Sequence, residues 1–263
     1  MEYFGYIASL LIGIALGLIG GGGSILTVPI LVYLFKVTPE DATSYSLFIV
    51  GSTALVGSYQ HYKLGNLKIG PALVFALPSV VSLLFVRKLI LPAIPSALFQ
   101  LGHLEITKDL LLMIVFAVLM IAASTSMIRR SAAGSEGIGK TNMTRLSLIG
   151  FLVGLVTGLL GAGGGFLIIP ALLFLAKLPM KQAVGTSLLI ISINSLIGFG
   201  GDALSGVSID HMLLGAITAI AILGMLIGTA LSRKIDGAAL KPIFGWFVLV
   251  MGIYIIIKET AVW

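Results

Sequence analysis

The chain has 263 residues, 58% hydrophobic and 10% charged, with a mean hydropathy of +1.15 and a formal net charge of +6. Soluble domains carry about 25% charged residues, so this surface cannot be solvated by water and the chain is read as an integral membrane protein. It contains no cysteine, which excludes disulfides, thiolate catalysis, iron–sulfur clusters and cysteine-based zinc sites.

The N-terminus reads MEYFGYIASL, with Glu2 where a signal peptide has a basic region, so no removable leader is expected. Apolar runs then follow at 3–35, 42–60, 69–86 and 109–128, and again at 144–176, 183–200, 211–231 and 242–257. These runs are long enough for helical spans and lack the two-residue alternation of barrel strands. They predict an all-α polytopic membrane protein. The one long polar stretch, RRSAAGSEGIGKTNMTR at 129–145, divides the chain into a first transmembrane repeat (1–128), a polar linker (129–143) and a second repeat (144–263). Residues 87–107 contain Pro92 and Pro95 and are expected to lie along the membrane surface.

The division into repeats rests on residues. Adding 141 to each number aligns Gly17–Gly65 with Gly158–Gly206 without a gap, giving 17 identities in 49 positions. Gly20/Gly161, Gly22/Gly163, Pro29/Pro170, Lys36/Lys177, Ala42/Ala183, Ser46/Ser187 and Gly57/Gly198 hold register together. Duplicated halves of this kind characterise secondary carriers.

The first run of each half is too long for one crossing. Thirty-three helical residues would extend about 50 Å at 1.5 Å each, against a hydrocarbon core of roughly 30 Å. Either a broken helix crosses once, or two arms meet at the glycines and turn back. Single crossings divide the sixteen Lys and Arg residues seven to nine between the two sides. Turning back divides them eleven to five, as the positive-inside rule favours, and inverts the halves relative to each other. The Arg87–Lys88 pair then lies on the wrong side.

Gly20 to Gly23 sit in the middle of the first run, and Gly161, Gly163, Gly164 and Gly165, with Ala162, repeat them in the second. Gly13-x-x-x-Gly17 and Gly150-x-x-x-Gly154-x-x-x-Gly158 read as ridges for close helix packing. Adjacent glycines, which face all sides of a helix, read instead as a break. Non-helical backbone at membrane depth is tolerated only inside protein or against a water-filled cavity. A helix restarting at Ser24–Ile25 or Gly165–Phe166 offers unpaired N–H groups and a positive dipole end, which suit an anion. There is no GxxxxGK[ST] signature, so a nucleotide loop is rejected.

Hydroxyls and one amide follow in the second spans. Ser46 and Ser187 are equivalent, Thr186 precedes the latter, and Asn194 is the costliest uncharged group there. The candidate substrate-binding set is therefore Gly20, Gly21, Gly22, Gly23, Ser24, Ser46, Gly161, Ala162, Gly163, Gly164, Gly165, Thr186, Ser187 and Asn194. No acidic residue is expected inside a span. His61 and Asp202 are equivalent residues at span ends, and His61, like Lys36 and Lys177, is read as interfacial.

The doubled pattern resembles the sulfite exporter TauE/SafE family of membrane transporters. It stands as GLIGGGGSILTVP followed by Ala42–Leu47, as GLLGAGGGFLIIP followed by Ala183–Leu188, and as HYKLGNL after the second span. The first copy departs from the pattern, with Ser44-Tyr45-Ser46 where the second has Gly185-Thr186-Ser187. The resemblance implies a carrier of small sulfur oxyanions or organosulfonates, multi-pass in the cytoplasmic membrane. The partners expected are a small anionic substrate and the lipid bilayer, with no nucleic acid and with a homo-oligomer among the assemblies allowed. No cofactor, metal or enzymatic activity is expected. A cation or metal-ion carrier using the backbone carbonyls at the same breaks is the alternative.

Overall fold

A computed structural model of the chain describes residues 2–95, 97–101, 104–131, 142–160, 164–205, 210–234 and 237–261. The first half begins with α1 (Glu2–Ile19), a 3-10 turn at Gly21–Leu26, and α2 (Thr27–Leu34). Long helices α3 (Pro39–Lys63) and α4 (Ile69–Phe85) follow. A π-turn at Val86–Ile90 carries α4 into the short α5 (Leu91–Ala93). A hairpin of β1 (Ala97–Leu101) and β2 (Leu104–Thr107) then leads into α6 (Lys108–Ser131). The second half holds α7 (Met143–Leu160), α8 (Gly165–Phe174), α9 (Met180–Leu204), α10 (His211–Ser232) and α11 (Gly237–Ala261).

Among the described residues, four stretches are long and apolar enough to cross a membrane: Ile69–Ala93, Met143–Leu160, Met180–Leu204 and His211–Ser232. Large apolar side chains such as Phe4, Leu77, Val81, Leu148 and Val250 are exposed, as lipid contact requires. α3 is also 25 residues long but less apolar, and its Ser44, Ser46, Thr53 and Ser58 are buried against other helices. Its start is set by the Thr38 hydroxyl, which accepts from Asp41 N–H at the N-cap, and by Pro39 in the first turn.

The glycine-broken elements turn back. Gly20 ends α1 at φ 75°, and Gly23 then lies against Ala15 and Leu16 of the helix just left. At the far end of the return arm, Phe35 packs on Gly5 and meets Tyr6 edge-on at 5.5 Å. The second half repeats the reversal, with Gly164 at φ 66° against Val153 and Thr157. Each return arm ends on a lysine in left-handed conformation, Lys36 (φ 62°) and Lys177 (φ 51°). The next N–H closes each arm, Val37 donating to Leu31 O and Leu178 to Leu172 O.

Helix pairing is reciprocal between halves. α1 lies parallel to α10, with Gly13 against Ala221, Gly17 against Gly228 and Thr229, and Gly224 against Leu10. α4 lies parallel to α7 in the same manner, with Gly150 on Phe75, Gly154 on Ser79 and Gly158 on Leu83 and Val86. The glycine ridges thus pack as the sequence predicts, since a missing Cβ lets backbones approach. α6 packs on α11, where Gly252 meets Ala117 and Ile121.

At the centre, α3 and α9 run antiparallel. Ser44 meets Asp202, Phe48 meets Phe199, Gly51 meets Leu196, Gly57 meets Leu188, and His61 meets Gly185. α9 is the most enclosed of the four apolar spans, 67% buried against 39% for α4 and α7.

Two expectations are corrected. Residues 87–107 do not form one surface segment, because the α4 span runs on to Ala93 and 97–101 pairs with 104–107 as a hairpin. His61, read as interfacial, is buried inside the bundle, 3% exposed and facing Gly185.

Candidate functional site at the paired glycine breaks

The first break is an ordered turn. Gly20 N–H closes α1 on Leu16 O (2.8 Å), and Gly23 N–H donates to Gly20 O (3.3 Å). The Ser24 hydroxyl donates to Gly21 O at 2.7 Å. Gly20 requires glycine, because its positive φ combines with Ser187 and Val184 close to where a Cβ would stand. Gly22 lies in the same 3-10 turn.

The two breaks meet. Gly21 packs backbone to backbone on Gly165, with Ile191 of α9 beside them. A side chain on either glycine would separate the halves here. Gly165 opens α8, and Gly164 O receives the Leu167 and Ile168 N–H groups at 2.9 and 3.1 Å. Gly161, Ala162 and Gly163 lie outside the described residues.

Of the hydroxyls, Ser187 reaches the junction. Its Oγ accepts from Gly21 N–H at 3.4 Å and donates to Val184 O at 2.8 Å. The structure therefore brings together Gly20, Gly21, Ser24, Gly165 and Ser187. Ser46 is fully buried on α3, and its Oγ has no hydrogen-bond partner among the described residues. Thr186 points elsewhere, accepting from Lys68 N–H at 3.1 Å. Asn194 donates through Nδ2 to Ser79 Oγ of α4 (2.7 Å), and its Oδ1 has no partner among the described residues. Thr53, the repeat equivalent of Asn194, is likewise buried with a hydroxyl that has no partner among the described residues.

One polar cluster lies outside the residues that the sequence singles out as a site. Arg87, set in the π-turn, points inward and pairs with Asp202 near the end of α9. Its Nη2 donates to Thr43 Oγ1 (2.8 Å), its Nη1 to Ser44 Oγ (3.2 Å), and Ser44 Oγ donates to Asp202 Oδ2 (2.7 Å). An acidic residue does lie inside a span, contrary to expectation, since Asp202 falls within Met180–Leu204. The signal that could have found it was the adjacent pair Arg87–Lys88, whose charge fitted no loop assignment.

The profile of the sulfite exporter TauE/SafE family matches residues 6–255. A probable membrane transporter protein of Xylella fastidiosa (strain 9a5c) is 31% identical over 262 residues, covering 95% of this chain and 93% of that protein. The probable membrane transporter protein YunE of Bacillus subtilis is 27% identical over 267 residues, covering 95% of each. The probable membrane transporter protein MJ0441 of Methanocaldococcus jannaschii is 28% identical over 266 residues, covering 95% of this chain and 94% of that one. No solved structure matches the chain. With this family matched over nearly its whole length and its doubled glycine break folded as a paired junction, the chain belongs to the TauE/SafE sulfite exporter family of membrane transporters.

Proposed function

We propose that the chain is a secondary transporter of small anions, with sulfur oxyanions or organosulfonates as the expected class, working by alternating access in the cytoplasmic membrane. The contact between Gly21 and Gly165 carries this reading. Two glycine breaks face each other at the seam between the halves, which is where carriers hold substrate. Each break precedes helical backbone whose first N–H groups favour negative charge. Among the described residues Gly21 N–H is engaged only by the long contact to Ser187, so an oxyanion oxygen can take its place. The Gly20 and Gly21 carbonyls already accept from Gly23 N–H and the Ser24 hydroxyl, which favours an anion over a cation held by carbonyl groups. In this reading Gly20–Ser24, Ser46, Gly161–Gly165 and Ser187 hold the anion, and Thr186 and Asn194 join as the halves move.

The halves are proposed to be inverted in the membrane. Antiparallel α3 and α9, which occupy equivalent repeat positions, support this, as do the parallel pairs α1–α10 and α4–α7. The loop charges also support it. Arg87, the residue that fitted them worst, is spent on a buried ion pair. Anion efflux would then gain about 2.3 kcal/mol per charge per 100 mV of inside-negative potential.

The test is efflux of radiolabelled sulfite from proteoliposomes. Flux should rise with inside-negative potential, be competed by thiosulfate and sulfonates, and fall at least tenfold in Gly21→Leu. Flux of cations without anions would overturn the substrate class. Full sulfite flux in a folded Gly21→Leu protein would overturn the site.

A further inference from the structure

The guanidinium of Arg87 is nearly sealed from solvent, with its side chain 2% exposed, yet it is only partly satisfied. Its Nη atoms serve Thr43, Ser44 and one oxygen of Asp202, while Nε is buried with no acceptor among the described residues. Leaving a buried donor unpaired is costly, and a guanidinium is built to hold two oxygens side by side. A π-turn aims this residue inward where Lys88, Leu89 and Ile90 face out, and such turns recur at functional sites. The Asp202 side chain is the more accessible partner, 11% exposed.

Thr43 links the cluster to the proposed route. It lies three residues before Ser46 on the same face of α3, and it lines a small pocket with Leu160, the last described residue before the second break. At the same end Lys108 is paired, its Nζ 2.9 Å from Glu40 Oε1.

We propose that Arg87 is a second anion-anchoring residue, with Thr43 and Ser44 as its hydroxyl partners. In the present conformation the Asp202 carboxylate fills its seat. A substrate oxyanion takes that seat when the end of α9 withdraws, using Nε and Nη together. Asp202 is thus an internal stand-in for the anion that keeps this end closed until substrate competes for Arg87. The inference rests on the anion reading above.

The test is sulfite binding to the purified full chain, followed by thermal shift and by calorimetry, with sulfate as a second probe. Asp202→Asn, which removes the competing charge, should tighten sulfite binding about tenfold. Arg87→Lys keeps a cation opposite Asp202 but loses the paired donors, and should weaken binding about tenfold with little change in thermal stability. The exchange Arg87→Asp with Asp202→Arg should restore stability without restoring wild-type sulfite affinity. Wild-type affinity in a folded Arg87→Lys protein would overturn the proposal. So would an exchange variant that recovers stability and binding together, since the pair would then be only a strut. Wild-type protein with no response to either anion would remove the anion reading and this inference with it, whereas normal wild-type binding with insensitive variants would remove this inference alone.

Discussion

Gly21 and Gly165 touch backbone to backbone, and that contact joins the glycine break of one half to that of the other. Gly21 follows the last turn of the first broken element and Gly165 opens the helix after the second. Neither could carry a side chain without pushing the breaks apart.

Stability should report that contact directly. Gly21→Ala places a methyl against Gly165 and Ile191 and should cost about 1–3 kcal/mol, the usual range for overpacking. Gly215→Ala in α10 has open space around it and should be neutral or gain up to about 1 kcal/mol of helix propensity. Unfolding of both variants in detergent makes the comparison, and equal stability would show that the breaks do not meet.

Ser187 and Ser46 are equivalent in sequence but not in bonding. Ser187→Ala strands the buried Gly21 N–H and should cost about 1–3 kcal/mol. Ser46→Ala removes a hydroxyl that has no partner among the described residues, so stability should stay within about 0.5 kcal/mol. If Ser46 serves the anion, its loss should still slow sulfite flux. Unchanged flux in Ser46→Ala would remove that residue from the site.

The absence of native cysteine makes cross-linking direct. Gly51→Cys with Leu196→Cys, and separately Gly57→Cys with Leu188→Cys, should each form a disulfide under mild oxidant. Moving forward along α3 while moving back along α9 is possible only for antiparallel helices. Failure of both pairs in folded protein would refute that arrangement.

Lys36 and Lys177 occupy equivalent positions, both exposed at the ends of return arms. Inverted halves put them on opposite sides of the membrane. In right-side-out vesicles, an impermeant thiol reagent should label one of Lys36→Cys and Lys177→Cys, and inside-out vesicles should reverse the result. Labelling of both from one side would show that the halves are not inverted.

Much was legible before folding because it depends on local composition. Charge poverty and run length specify helical membrane spans, and the 141-residue register exposes the duplication. The glycine clusters mark the breaks, because four adjacent residues without Cβ cannot serve one helix face. Spacing four apart likewise marked Gly13, Gly17, Gly150, Gly154 and Gly158 as packing ridges. Thr186 and Asn194 were harder. Both are buried polar residues on α9, but Thr186 caps the Lys68 amide and Asn194 serves Ser79. Polarity in a span says that a residue needs a partner, not which partner it finds.

By itself, then, the sequence determined the class, the duplication and the break positions, since each follows from hydrophobicity and backbone freedom within a short window. Only the tertiary structure decided which surfaces meet. It joined α1 to α10 and α4 to α7 across the halves, seated Gly21 on Gly165, and brought Arg87 to Asp202, 115 residues away in the chain. The reason is geometric. Each of these contacts depends on the direction and depth at which a whole helix enters the bundle, and in the case of Arg87 on one π-turn that rotates a charge from the lipid face to the interior.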